Sequence, residues 1–230
     1  MPTSSSSPSI NRVKVWDWPV RIFHWLGLAL MVGLWWTAEQ AEMDLHMMLG
    51  YSFGGLLVWR ILWGVFGSQT ARFSQFIRSP FTVLSYAKSL KKGQAPATLG
   101  HNPMGGYMVA LMLSLMLAQF GSGLFSSDEV FTEGPLVAYA SADTVSTLTW
   151  WHKTNFNLLL GCAGLHVLAV LVHSLKGERI VPAMVHGHKP APAQQSPSFR
   201  FVSGWWALGL GLLIGAPVYY YLLRPILSYY

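Results

Sequence analysis

Charge is what this sequence of 230 residues has least of. Asp, Glu, Lys and Arg together make up 10% of it, against about 25% in an ordinary soluble domain. With 52% hydrophobic residues, that scarcity argues against a soluble globular chain. Cysteine is nearly absent. The lone Cys162 excludes an intrachain disulfide, a CxxC redox pair and a CxxCH attachment motif. Inside its apolar run it reads as a small packing residue. Acids are scarce too, 9 against 15 Lys and Arg, for a net charge of +6. A basic balance can mark a nucleic-acid binder, but the distribution of these charges excludes that reading. Strand-like alternation of any length is also missing.

Long apolar runs are plentiful. Five predicted spans cover roughly residues Val20–Ala38, Leu45–Phe66, Met104–Phe125, Trp151–Leu175 and Val202–Leu223. Each is long enough to cross a bilayer as a helix. The 11 Trp and 9 Tyr suit membrane interfaces. The expected fold class is all-α, an integral membrane four-helix bundle with an additional C-terminal transmembrane helix. Residues 1–11 are Ser/Pro-rich and expected to be disordered. They lack the charged region and cleavage pattern of a signal peptide. Residues 12–185 form the four-helix domain, 186–201 a linker and 202–230 the fifth helix.

Charge placement sets the orientation. Arg12, Lys14 and Arg21 lie at the N-terminus. Arg72, Arg78, Lys88, Lys91 and Lys92 lie between spans two and three, and Lys176, Arg179 and Lys189 follow span four. The other two loops hold seven of the nine acids: Glu39, Glu42 and Asp44, then Asp128, Glu129, Glu133 and Asp143. The positive-inside rule makes the N-terminus and the linker cytoplasmic and the C-terminus external.

Eight histidines remain to be placed. His101, His186 and His188 read as solvated loop residues, and the HGH pair alone makes a weak metal site. His24, His46, His152, His166 and His173 lie in or at the ends of spans. Ionisable groups there are costly and point to function. His152 and His166 are fourteen residues apart in WHKTNFNLLLGCAGLH, almost four helical turns. They share a face about 21 Å apart along the axis. His46 opens span two at the outer side, like His152. His24 sits fourteen residues before Ala38, at the depth of His166. Two pairs result, His46 with His152 near the outer face and His24 with His166 nearer the inner face. His173, seven residues past His166, is the alternative inner partner. Two neutral imidazoles facing each other in an apolar core suit the iron of haem b. Zinc or copper would ask for more ligands than these spans offer. The ordinary alternative is histidines packed between helices. Gly27, Gly33, Gly50, Gly54, Gly55, Gly161 and Gly164 could admit a flat ring or serve close helix packing. Arg21 and Arg60 at the inner side and Lys153 at the outer side are candidate propionate partners. For the arginines, a positive-inside anchoring role is equally open.

The segments VWDWPVRIFHW, DLHMMLGY and WHKTNFNLLLGCAGLHVLAVLVH resemble the bacterial cytochrome b561 family. So do LWGVFGSQTARFSQFIRSP and GHNPMGG. The family includes the b-type cytochrome subunits of nickel–iron hydrogenases and the superoxide-oxidising cytochrome b561. The resemblance covers roughly residues 12 to 185. It implies a four-helix membrane bundle holding two haems b, in the bacterial inner membrane, with His24, His46, His152 and His166 as ligands. It also implies a quinone as a further cofactor or substrate. Three functions stay open. The first is an electron carrier between a quinone pool and a partner redox protein, such as a periplasmic cytochrome c docked on the acidic outer loop. The second is a quinone-reducing enzyme that oxidises superoxide or another small reductant, a reading the acidic outer loops oppose. The third is a non-redox anchor subunit. None calls for catalysis by a side chain.

Overall fold

A computed structural model describes residues 10–96, 98–192 and 197–228. In chain order the elements are β1 (Ile10–Lys14), α1 (Trp18–Glu39), α2 (Met43–Phe66), α3 (Phe73–Phe76), α4 (Pro80–Lys91), α5 (Pro103–Gly123), α6 (Ala142–Leu175), α7 (Ile180–His186), β2 (His188–Pro192), α8 (Gly204–Val218) and α9 (Arg224–Leu227). A π turn at Tyr219–Leu223 joins the last two helices into one rod. Five helices are long and apolar enough to cross a membrane: α1, α2, α5, α6 and the Gly204–Leu227 rod. The chain is an all-α multi-pass membrane protein.

Side-chain caps start α1, α4, α5 and α6. Asp17 caps α1 by accepting from Val20 N at 3.1 Å, and Pro19 stands in the first turn, where a missing N–H costs nothing. The other Asp17 oxygen accepts from Trp63 Nε1 at 2.8 Å. One buried carboxylate therefore fastens the start of α1 to the end of α2. Asn102 caps α5 through Gly105 N at 2.7 Å, with Pro103 following. Ser141 caps α6 through Thr144 N at 3.3 Å, and Asp143 sits in the first turn. That cap begins α6 nine residues before the expected Trp151, in a stretch read from sequence as loop. With 34 residues, α6 is about 51 Å long, more than a bilayer core requires.

α1 packs on α2, α5 on α6, and α2 joins the two hairpins by packing on α5. At that last crossing Gly54 lies directly under the Phe120 ring, where a Cβ would overlap it. The fifth helix docks on α2. Trp59 Nε1–H donates to Ala207 O at 2.8 Å in a buried contact, and Val202 N–H donates to Ser68 Oγ at 3.1 Å. Trp59→Phe keeps the ring and removes the donor. The expected cost is about 1 kcal/mol, read as a lower thermal midpoint in detergent.

The structure differs from the sequence expectation at both edges of the bundle. Ile10 and Asn11, assigned to a disordered N-terminus, belong to β1; residues 1–9 lie outside the described residues. β1 pairs antiparallel with β2, inside the segment read as a plain linker, from Ile10 opposite Pro192 to Lys14 opposite His188. Val15 N and Trp16 N both donate to Gly187 O, at 2.8 and 3.0 Å. Gly187 turns the chain with φ of 86°, a conformation natural to glycine. Strands of 5 residues are too short to show a period against their Pro- and Ser-rich surroundings. The basic segment between α2 and α5 is likewise not plain loop. It holds α3 and α4, the latter capped by Ser79 and ending on Lys88 and Lys91, cations that complement the helix dipole.

Candidate functional site

The bundle has an acidic end, with the α1–α2 turn and the loop from α5 to α6, and a basic end, with the termini of β1 and β2 and the α2–α5 segment. His46, in the first turn of α2, faces His152 of α6 at the acidic end. Their ring centroids are 6.4 Å apart and the planes are 79° from parallel. His46 Nδ1 lies 3.0 Å from Leu34 O and 3.2 Å from Thr37 Oγ1. His152 Nδ1 lies 2.9 Å from Gln119 O and 3.3 Å from Ser122 Oγ. A carbonyl oxygen only accepts, so the proton of each neutral ring belongs on Nδ1. Both Nε2 lone pairs are then free.

The supports of these rings are themselves held. Thr37 Oγ1 donates to Gly33 O at 2.9 Å, and Ser122 Oγ donates to Ala118 O at 2.7 Å. The fully buried Asn155 donates through Nδ2 to Leu115 O at 2.9 Å and to Gln119 Oε1 at 2.7 Å. Gly123 makes room for the His152 ring, since a Cβ there would fall 2.9 Å from Cε1. A cavity of about 540 Å³ opens beside both histidines, and Glu39, Asp128 and Lys153 line it. Its size is within the usual range for a bound organic group.

His24 of α1 and His166 of α6 face each other toward the basic end, with centroids 6.3 Å apart and planes at 56°. Here the surroundings are different. His24 Nδ1 is buried without a partner, and its ring meets the edge of Trp25. Arg21 donates through Nη2 to Val185 O, while its Nε is buried without a partner. Arg60 is 3% exposed. It lies over the rings of Phe23 at 5.8 Å and Phe73 at 5.2 Å, and its Nη1 has no partner.

His101 corrects the solvated-loop expectation. Its ring lies between Trp16 at 4.6 Å and Phe76 at 4.7 Å, and its Nδ1 is buried without a partner. Burial first, then the charges of Arg60 and Lys189 and the proximity of His166, push its pKa down to about 3. His101 is therefore neutral at pH 7. The sequence signal was GHNP leading into α5, where the N-cap Asn102 pins the residue before it against the bundle.

The remaining groups lie elsewhere. His173, in the last turn of α6, has its Nδ1 2.7 Å from Oε1 of Glu178, just past the end of that helix. His186 is exposed and accepts at Nδ1 from His188 N at 3.1 Å. Gly33 and Gly55 are packed against Leu49 and Val218 respectively, whereas Gly161 and Gly164 face open space. Among the described residues no cluster of three or more His, Cys, Asp or Glu is placed to hold a metal ion.

The acidic loop carries one well-built turn. Asp128 Oδ1 accepts from the N–H groups of Val130, Phe131 and Thr132 at 3.0, 2.9 and 2.8 Å. The backbone N–H donors hold its carboxyl down at about 2. A depressed carboxylate adds stability above its unfolded value and loses it as pH falls through the folded one. The turn is thus expected to stay closed at pH 4 and to open near pH 2. Amide exchange of residues 130–132 reads this directly; exchange already fast at pH 4 would contradict it.

A family model described as prokaryotic cytochrome b561 matches residues 15–187. No protein of curated function and no solved structure matches the chain. The matched region runs from the end of β1 to the turn after α7, and so takes in α1, α2, α5 and α6 with all four facing histidines. The family implies binding of b-type haem and a part in electron transfer. With the match spanning well over half of its length, the chain belongs to the prokaryotic cytochrome b561 family.

Proposed function

We propose that the chain is a di-haem b cytochrome that carries electrons across the bacterial inner membrane between a quinone pool and a partner redox protein. The observation that carries this reading is the spacing of the histidines. Two imidazoles on opposite sides of one metal, each bonded at about 2 Å, have centroids about 6 Å apart. The two pairs stand at 6.4 and 6.3 Å.

The surroundings fit the same group. His46 and His152 present free Nε2 lone pairs and give their Nδ1 protons to carbonyl oxygens, the arrangement usual for ligating histidines. The cavity beside them has room for part of a flat ring. The orphaned nitrogens of Arg21 and Arg60 suit propionate carboxylates at the basic end, and Lys153 is the one cation lining the cavity at the acidic end. Bound between these pairs, haem b supplies one-electron chemistry, with the protein setting its ligands and environment. The chain's own part is to fix four rings, bury them and exclude water; no side chain breaks or makes a substrate bond. Residues 12–185 act as the di-haem unit, 186–201 as its cytoplasmic linker and 202–230 as an added membrane helix. The basic end is cytoplasmic, and the acidic loop faces the periplasm, where a basic redox protein such as a cytochrome c would find opposite charge.

The enzymatic reading, oxidation of superoxide, meets an unfavourable field. Glu39 and Asp128 rim the cavity with only Lys153 opposing them, and an anion would be repelled. The test of the carrier reading uses proteoliposomes loaded with ferricyanide and supplied with a quinol in the bilayer. The protein should drive reduction of the trapped ferricyanide, and a rate equal to that of protein-free liposomes would contradict the proposal. A superoxide generator with quinone should give no faster quinone reduction when the protein is added; acceleration would favour the enzyme.

A further inference from the structure

The two histidine pairs are built differently, and the difference sets a direction. At the acidic end both rings donate from Nδ1 to main-chain carbonyls, Leu34 O and Gln119 O, with Thr37 and Ser122 hydroxyls beside them. Such bonds pull the Nδ1 proton outward and enrich the ring in electron density. A ring so enriched is a stronger donor through Nε2 and favours the oxidised, more positive state of whatever it ligates. At the basic end neither His24 nor His166 has a hydrogen-bond partner among the described residues, and His24 Nδ1 is buried bare.

Charge acts in the same sense. Among the described residues lining the acidic-end cavity, Glu39 and Asp128 stand against the single cation Lys153. Toward the basic end, Arg21 stands one turn from His24 on α1. Arg60 lies over the ring of Phe23, the neighbour of His24, and is nine-tenths or more buried with Nη1 unpaired. The buried Asp17 carboxylate offsets part of its charge, and Arg21 leaves the balance positive. A buried cation favours the reduced state of a nearby centre, and a nearby anion favours the oxidised one.

We infer that the His46–His152 pair forms the lower-potential site and the His24–His166 pair the higher-potential one, with Thr37 and Arg60 as positioning residues that separate them. Electrons then run downhill from the acidic end to the basic end. This rests on the di-haem reading and adds its polarity.

The test is an equilibrium redox measurement on purified haem-loaded protein, followed by visible absorption, with haem counted per chain. Four proteins are compared: the parent, Thr37→Val, Arg60→Gln and His24→Ala. The parent should resolve two waves. Thr37→Val should move only the lower wave upward, Arg60→Gln only the higher wave downward, and His24→Ala should delete the higher. Two haems per chain with one unresolved wave, loss of the lower wave in His24→Ala, or movement of the higher wave in Thr37→Val would overturn the ordering while leaving the di-haem reading intact. A parent holding one haem would overturn both, and the haem count tells the two failures apart.

Discussion

Alanine at position 152 is expected to leave a purified chain holding one haem where the parent holds two. His152 faces His46 across 6.4 Å, and no other histidine is among the described residues that line the acidic-end cavity. Losing one axial ligand from a bis-histidine site empties it or opens it to water. The other pair lies about 21 Å further along α6, far enough that its contents should not change. His166→Ala should do the converse, removing the basic-end haem and leaving the acidic-end one. Among the described residues the ring facing His24 is that of His166, at 6.3 Å, whereas His173 has its Nδ1 2.7 Å from Glu178 Oε1. Haem content and the absorption of each variant check the pair. Retention of both haems in His166→Ala would transfer the ligand role to His173.

Gly123→Val is expected to empty the acidic-end site with no substitution of a histidine. Within a helix, replacing glycine by a residue with a side chain usually gains stability, about 1 kcal/mol for alanine. At this position sterics outweigh propensity. A Cβ would stand 2.9 Å from His152 Cε1 and 3.2 Å from Nδ1. The ring would have to leave the bond to Gln119 O, which sets both its tautomer and its direction. Gly123→Ala should retain haem with a shifted spectrum and weakened binding; Gly123→Val should lose about one haem per chain while the helical circular dichroism stays unchanged. Full haem content in the valine variant would mean that the ring tolerates displacement and that Gly123 has no part in the site.

Much of this architecture is legible in the sequence because a bilayer imposes long apolar runs and charge segregates between loops. The spans, and the depth matching of His46 with His152 and His24 with His166, need only helical rise and the loop charges. The same arithmetic leaves the support of the rings unseen. Thr37, Ser122 and Asn155 are ordinary polar residues in apolar runs, and only three-dimensional packing puts them against a histidine or its carbonyl partner. Their signal was the small hydroxyl or amide one turn or less from a ligand-depth position, as Asn155 stands to His152. His101 was misread because a loop histidine beside Gly and Pro looks solvated, whereas the β1–β2 pairing brings Trp16 over it. The early start of α6 was hidden by Thr and Ser, residues neutral in propensity until Ser141 caps them.

The proposed function requires two haems held by four histidines. A dithionite-reduced minus oxidised spectrum of the purified protein, with haem quantified against protein, tests this most directly. The expected result is a b-type spectrum with about two haems per chain, as two axial pairs require. One haem per chain would mean that one of the facing pairs is packing alone, and a colourless protein would contradict the account outright.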